Sequence, residues 1–245
     1  LSDVTSLGRT RNKIERLQAE NDKLRLSLQN RKNADALLKQ LKGVLDLAGT
    51  AGYKVVGAKV ISQGSTTSFT QSISIDVGSN SGVRSNMTVL SSYGIVGVVK
   101  YVYPNSALVQ LASDPAFRIG ARIAGSQQIG ILSGQGTRRG VLQLLDNRTQ
   151  IKKGDVLLAR GSQGGRPFVP GVPIGSVTDV DNSPGAVTQT ADVKFYTNFS
   201  TLGVVAVVVS GEGADPRDAL VPPKPIPTPI PTVTVFVTPS PSPTS

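Results

Sequence analysis

The sequence predicts a mainly β protein with an N-terminal α-helical coiled coil and two small antiparallel β-barrel domains. Three observations predict it. Apolar residues recur every three and four positions through the first 45 residues. From Tyr53 onward the period falls to two. Short strand-like runs then alternate with Gly-, Ser- and Asn-rich turns every 8–15 residues, and no helix of useful length lies between them.

The coil comes first. Leu7, Ile14, Asn21 and Leu28 fall on heptad position a, and Leu17 and Leu24 on d. A stripe this narrow cannot bury itself on a lone helix and calls for a second helix, most simply a copy of itself. Asn21 at a single a position lowers stability but sets the register and favours a parallel pair. The strict heptad stops at Leu28. A second stripe, Ala34, Leu37, Leu38, Leu41 and Leu45, follows on a shifted face and either continues the pairing or packs on the globular part. The dimerisation set is therefore Leu7, Ile14, Leu17, Asn21, Leu24 and Leu28, within a helical segment 1–48.

The strands follow. Strand-like runs are expected at 55–62, 69–76, 87–90, 95–101, 107–111, 118–124, 129–133, 141–145, 156–159, 174–181, 190–195 and 204–209. They divide into a first barrel, 53–113, and a second, 114–212. The strands near 190–210 are left open as candidates to complete the first barrel. Two internal echoes support related units. Residues 81–89 resemble 149–157, and Gly94–Val99 resembles Gly171–Val177. From 213 to 245 a Pro-rich tail is expected to stay unpacked.

Composition narrows the chemistry. The chain of 245 residues has no Cys, His or Trp. That removes disulfides, thiolate metal sites, thiol nucleophiles and imidazole-based triads. No catalytic residue, metal ligand or cofactor-binding residue is assigned. The net charge of +10 is spread, with +4 on 1–48, +6 on 49–212 and a neutral tail. Nucleic acid is a poor fit, since a binder gathers its cations and often interleaves aromatics, which make up only 4% here. The Gly-rich stretches 134–136 and 161–165 open no helix and so fail as phosphate cradles. Asp179 and Asp181 share a strand face, and a solvated edge is their simplest role. Basic residues concentrate between Arg138 and Arg166, as an anion-facing patch or a solvated rim. In the loop 164–168, Arg166 and Phe168 are candidate partner contacts, with a core role for Phe168 kept open; Arg160 lies just before it.

An ordered set of motifs resembles the bacterial rod shape-determining MreC family. The set is Leu17–Leu24, Val55–Ile61, Ile75–Gly78, Gly82-Val83, Met87–Val89, Gly94–Val99, Gly154–Val156, Pro170–Gly175, Val204–Val209 and Pro216–Leu220. It departs from the family pattern at Asn86, where Gly is usual, and at Ala159-Arg160-Gly161. The resemblance implies a single-pass membrane protein whose coil and barrels, resembling chymotrypsin-type barrels in shape, lie on the extracytoplasmic side, with an anchor preceding Leu1. It implies self-association as dimers and higher assemblies. It also implies a non-catalytic scaffold role in peptidoglycan sidewall elongation, beside a class B penicillin-binding protein, MreD and the actin-like MreB. No small-molecule substrate is expected. Two other readings remain: an adaptor of a membrane transport complex, and a wall-associated hydrolase using a His-free site.

Overall fold

In a computed structural model the described residues are 2–64, 71–126, 128–136, 138–144, 151–181, 188–211, 216 and 219–222, with side chains described from residue 16 onward. One long helix, α1 (Ser2–Thr50), precedes twelve strands: β1 (Lys54–Gln63), β2 (Ser72–Ile75), β3 (Thr88–Ser91), β4 (Gly94–Val102), β5 (Ala107–Leu111), β6 (Arg118–Ile123), β7 (Ile129–Gly134), β8 (Arg139–Leu144), β9 (Val156–Ala159), β10 (Pro173–Asp181), β11 (Thr190–Phe195) and β12 (Val204–Ser210). The helix is ~74 Å long.

An open sheet edge leaves backbone N–H and C=O groups unpaired, and closing the sheet removes it. The twelve strands close as two six-stranded antiparallel barrels. The order is β1-β12-β3-β4-β5-β2 in barrel 1 and β10-β11-β8-β7-β6-β9 in barrel 2. Barrel 2 is continuous in sequence. Barrel 1 is not, since its last strand arrives only after the whole of barrel 2. Of the strands near 190–210, Thr190–Phe195 pairs inside barrel 2, while Val204–Ser210 pairs with β1 and β3. The expected unit 114–212 is therefore corrected: its last strand belongs to barrel 1. The reason is visible in the burial. Val205, Ala206 and Val207 are fully buried, so β12 needs cover on both faces, and the barrel 1 interior and the helix foot provide it.

The internal echo is a structural repeat. Val83 and Ile151 are equivalent core residues, 1% and 5% exposed. Asn86 N–H donates to Val99 O at 2.8 Å, and Gly154 N–H donates to Val177 O at 2.9 Å. Both turns need left-handed backbone, with φ +58° at Asn86 and +92° at Gly154. Asn tolerates that region better than other side-chain-bearing residues, which accounts for its replacing Gly here. Gly97 and Gly175 are also equivalent. A Cβ at Gly97 would sit 1.9 Å from Gln110 O, and one at Gly175 2.2 Å from Lys194 O, so β4 and β10 press against β5 and β11 at the same place.

The equivalence extends to the crossovers that leave each repeat. Ala112 N–H donates to Val96 O, as Tyr196 N–H does to Ile174 O. Asp114 and Asn198 each accept from the amide two residues on. The strands these crossovers lead to, β6 and β12, take the same position in opposite barrels, pairing with β7 and β9 in one case and β1 and β3 in the other. Each repeat thus sends its sixth strand to its neighbour.

Ending the chain after Gly203 should leave residues 118–195 cooperatively folded and barrel 1 open, read as loss of hydrogen-exchange protection confined to β1–β5. Replacing Asn86 by Val should destabilise the head by about 1–2 kcal/mol, because a β-branched residue is forced to positive φ, whereas Asn86→Gly should be near neutral; chemical denaturation measures both.

Candidate functional site

The helix foot is held on barrel 1 by one face. Val44, Ala48 and Ala51 are 0%, 2% and 7% exposed, and Leu41 faces Gly57. Gln40 adds a polar clamp. Its Oε1 accepts from Gly203 N–H at 3.2 Å and Val204 N–H at 3.0 Å, satisfying the amides where β12 begins. Gly43 allows the close approach, because a Cβ there would lie 2.6 Å from Ser92 Cβ.

The second apolar stripe divides accordingly. Leu41 turns toward the barrel, while Leu38 and Leu45 stay 63% and 49% exposed. Higher up, Leu17, Leu24 and Leu28 are 55%, 58% and 59% exposed, and Asn21 is exposed beside them. At about 100° per residue, these three leucines lie roughly 160–200° around the helix from Val44. The heptad stripe and the docking face are thus opposite sides of one rod. Leu7 and Ile14 lie on the same helix, with side chains outside the described residues.

The barrels are joined through polar side chains and backbone. Thr88 Oγ1 donates to Pro167 O at 2.8 Å and accepts from Val169 N–H at 3.0 Å. Thr197 Oγ1 donates to Ile95 O at 2.7 Å and lies 3.0 Å from Ser91 Oγ. The Tyr53 hydroxyl donates to Pro170 O. At the first crossover the fully buried Asp114 carboxylate accepts from Gln71 N–H, Ala116 N–H and the Gln110 amide at 2.5, 2.7 and 3.0 Å. Three donors around one carboxylate offset the cost of burying it.

This joint corrects the expected partner surface. Phe168 is 8% exposed and packs edge-to-face on Phe117 at 5.4 Å, so it is core and not an exposed anchor. The loop on either side of it is tied to β3 by the two Thr88 bonds, which draw the ring inward. Arg160 and Arg166 remain exposed. Arg166 lines a groove of about 420 Å³ between its own loop and the end of β12. The basic residues of 138–166 separate as well. Arg138 and Arg139 line a cleft of about 730 Å³ between the barrels, away from that groove, and Arg148 lies outside the described residues.

The front of the expected unpacked tail is also placed. Leu220 is half-buried against the core, and Ala219–Pro222 border a hollow shared with Gly43, Leu47, Tyr93 and Tyr196. Burial pushes the Tyr196 hydroxyl above the ordinary tyrosine value, and a Ser176 hydrogen bond pulls the other way. Residues 223–245 lie outside the described residues. Among the described residues no group of three or more acidic side chains is placed to hold a metal ion, and no helix is long and apolar enough to cross a membrane.

Residues 60–209 match the family described as "Rod shape-determining protein MreC, barrel core". The cell shape-determining protein MreC of Listeria monocytogenes is 31% identical over 176 residues, covering 69% of this chain and 59% of that relative. A solved structure named "MreC" superposes with a TM-score of 0.63 at 28% identity, covering 71% of this chain and 98% of that one. A more distant neighbour, 18% identical with a TM-score of 0.50, is the MreC of Helicobacter pylori in complex with Penicillin-Binding Protein (PBP2); it covers 64% of this chain and 99% of that one, and the likeness is one of fold.

Replacing Gly43 by Val should lift the helix foot from Ser92 and break the Gln40 clamp. The expected readout is faster amide exchange at Gly203 and Val204 with the barrel 2 amides unchanged.

Proposed function

Because this chain belongs to the MreC family of rod shape-determining proteins, we propose that it is a non-catalytic, extracytoplasmic scaffold of cell-wall elongation, paired through α1. The observation that carries the reading is the leucine stripe Leu17-Leu24-Leu28, exposed on the face opposite the one clamped to barrel 1. Each leucine would contribute about 1.5–3 kcal/mol on burial, and a lone helix supplies nothing to bury it against. A second copy in parallel register places Leu17 and Leu24 across from themselves, with Leu7, Ile14 and Leu28 extending the seam and Asn21 fixing it.

Parallel pairing would set two double-barrel heads at the same end of the stem. Two heads offer two docking surfaces, so a membrane enzyme binding one is held near the other without any new contact. The partner class this favours is a class B penicillin-binding protein, in keeping with the Helicobacter pylori MreC, whose complex is with Penicillin-Binding Protein (PBP2). MreD and an actin-like MreB complex would be met through an anchor ahead of α1. The position of a single helix before all strands weighs against a transport adaptor, in which a helical hairpin splits a β domain.

Sedimentation of the chain carrying Leu17→Asp and Leu24→Asp tests the pairing. The expected result is a dimer converted to monomer, with the β signal in circular dichroism unchanged. A dimer that survives both substitutions removes α1 from its assigned role.

A further inference from the structure

The cleft between the barrels carries an arrangement of charge that folding alone does not favour. On the wall from barrel 2, Arg139 and Lys194 are direct cross-strand partners, as are Asp179 and Asp192. All four are exposed and line the cleft. Like charges directly opposite on one sheet face destabilise it, and here two such pairs lie side by side. No ion pair joins any of the four among the described residues. Arg138, at the same wall, is fixed by donating from Nη2 to Phe195 O and Tyr196 O, while its buried Nε has no partner among the described residues.

The two rows are two residues apart on β11, about 7 Å along the strand. That is also the distance between side chains i and i+2 of any extended peptide. The cation row calls for a carboxylate, the carboxylate row for an ammonium or guanidinium. A volume of about 730 Å³ holds a short peptide. We propose that the inter-barrel cleft binds an extended peptide carrying an acidic and a basic side chain two residues apart, the acidic one on Arg139 and Lys194 and the basic one on Asp179 and Asp192. This site is separate from the helical seam and stands whether or not the scaffold reading holds.

The test is a titration of the whole chain, followed by amide NMR, with the end-blocked pentapeptide Ala-Glu-Ala-Lys-Ala and its control in which Gln replaces Glu and Lys. Expected is saturable perturbation of the amides of Arg139, Asp192 and Lys194 by the charged peptide alone. Lys194→Gln and Asp192→Asn should each weaken binding about tenfold and leave the melting temperature unchanged or raised, since each relieves a like-charge pair. Absence of saturable perturbation, or equal binding of the control, overturns the proposal. So does a fall of several degrees in melting temperature in both variants, which would make the four charges structural partners of one another.

Discussion

The architecture depends on one requirement: every sheet edge must be paired, and the edges of barrel 1 can be paired only by a strand that reaches it through barrel 2. β12 fills the gap between β1 and β3 with Val205, Ala206 and Val207 fully buried. The first five strands of barrel 1 therefore wait, in chain order, for about a hundred further residues. Long-range closure of this kind is slow and cooperative, because the loop entropy is lost before the contacts are gained. The two repeats meet the requirement reciprocally. β6 and β12 are equivalent strands, each placed in the barrel built by the other repeat, so the barrels are coupled by topology before any side chain is considered.

That coupling explains the polar character of the joint. Two chain crossings run between the barrels; the first buries its Asp114 carboxylate, and the second lies nearer the surface. Asp114 and Asn198 accept from backbone amides at equivalent points; where a turn from one barrel meets a strand of the other, Thr88 accepts from the Val169 amide and Thr197 donates to the Ile95 carbonyl. Such groups are costly to leave unmade, so they fix the relative setting of the barrels more sharply than apolar contact would. Where the joint ends, the cleft begins, and its charged wall belongs to strands whose other face is the core of barrel 2.

The helix obeys the same logic in a simpler form. Among its described residues the helix has one apolar face covered by its own chain, near the C-terminal end, through Val44, Ala48 and the Gln40 clamp, and Leu17, Leu24 and Leu28 exposed on the opposite one. The stem is clamped to its head at the foot, and the family to which the chain belongs is named for rod shape.

What the sequence determined by itself was the local pattern. Strand period, turn residues and the heptad are properties of neighbours, so all twelve strands, the long helix and the repeat of 81–89 in 149–157 are legible there. Tertiary structure decided whatever depended on residues far apart. β12 is an unbroken apolar run and β11 alternates, but the run says only that both faces are covered; that β1 and β3 provide the pairing is decided by closure of barrel 1. Phe168 is as apolar as an exposed anchor would be, and bonds to residues far along the chain, of Thr88 with Pro167 and Val169 and of Tyr53 with Pro170, hold its loop inward. Val44 and Ala48 lie on a docking face because β12, β1 and β3 pack against α1. Arg139 meets Lys194 across 55 residues of chain, and cross-strand register, which pairs like with like there, is set by barrel closure and not by composition.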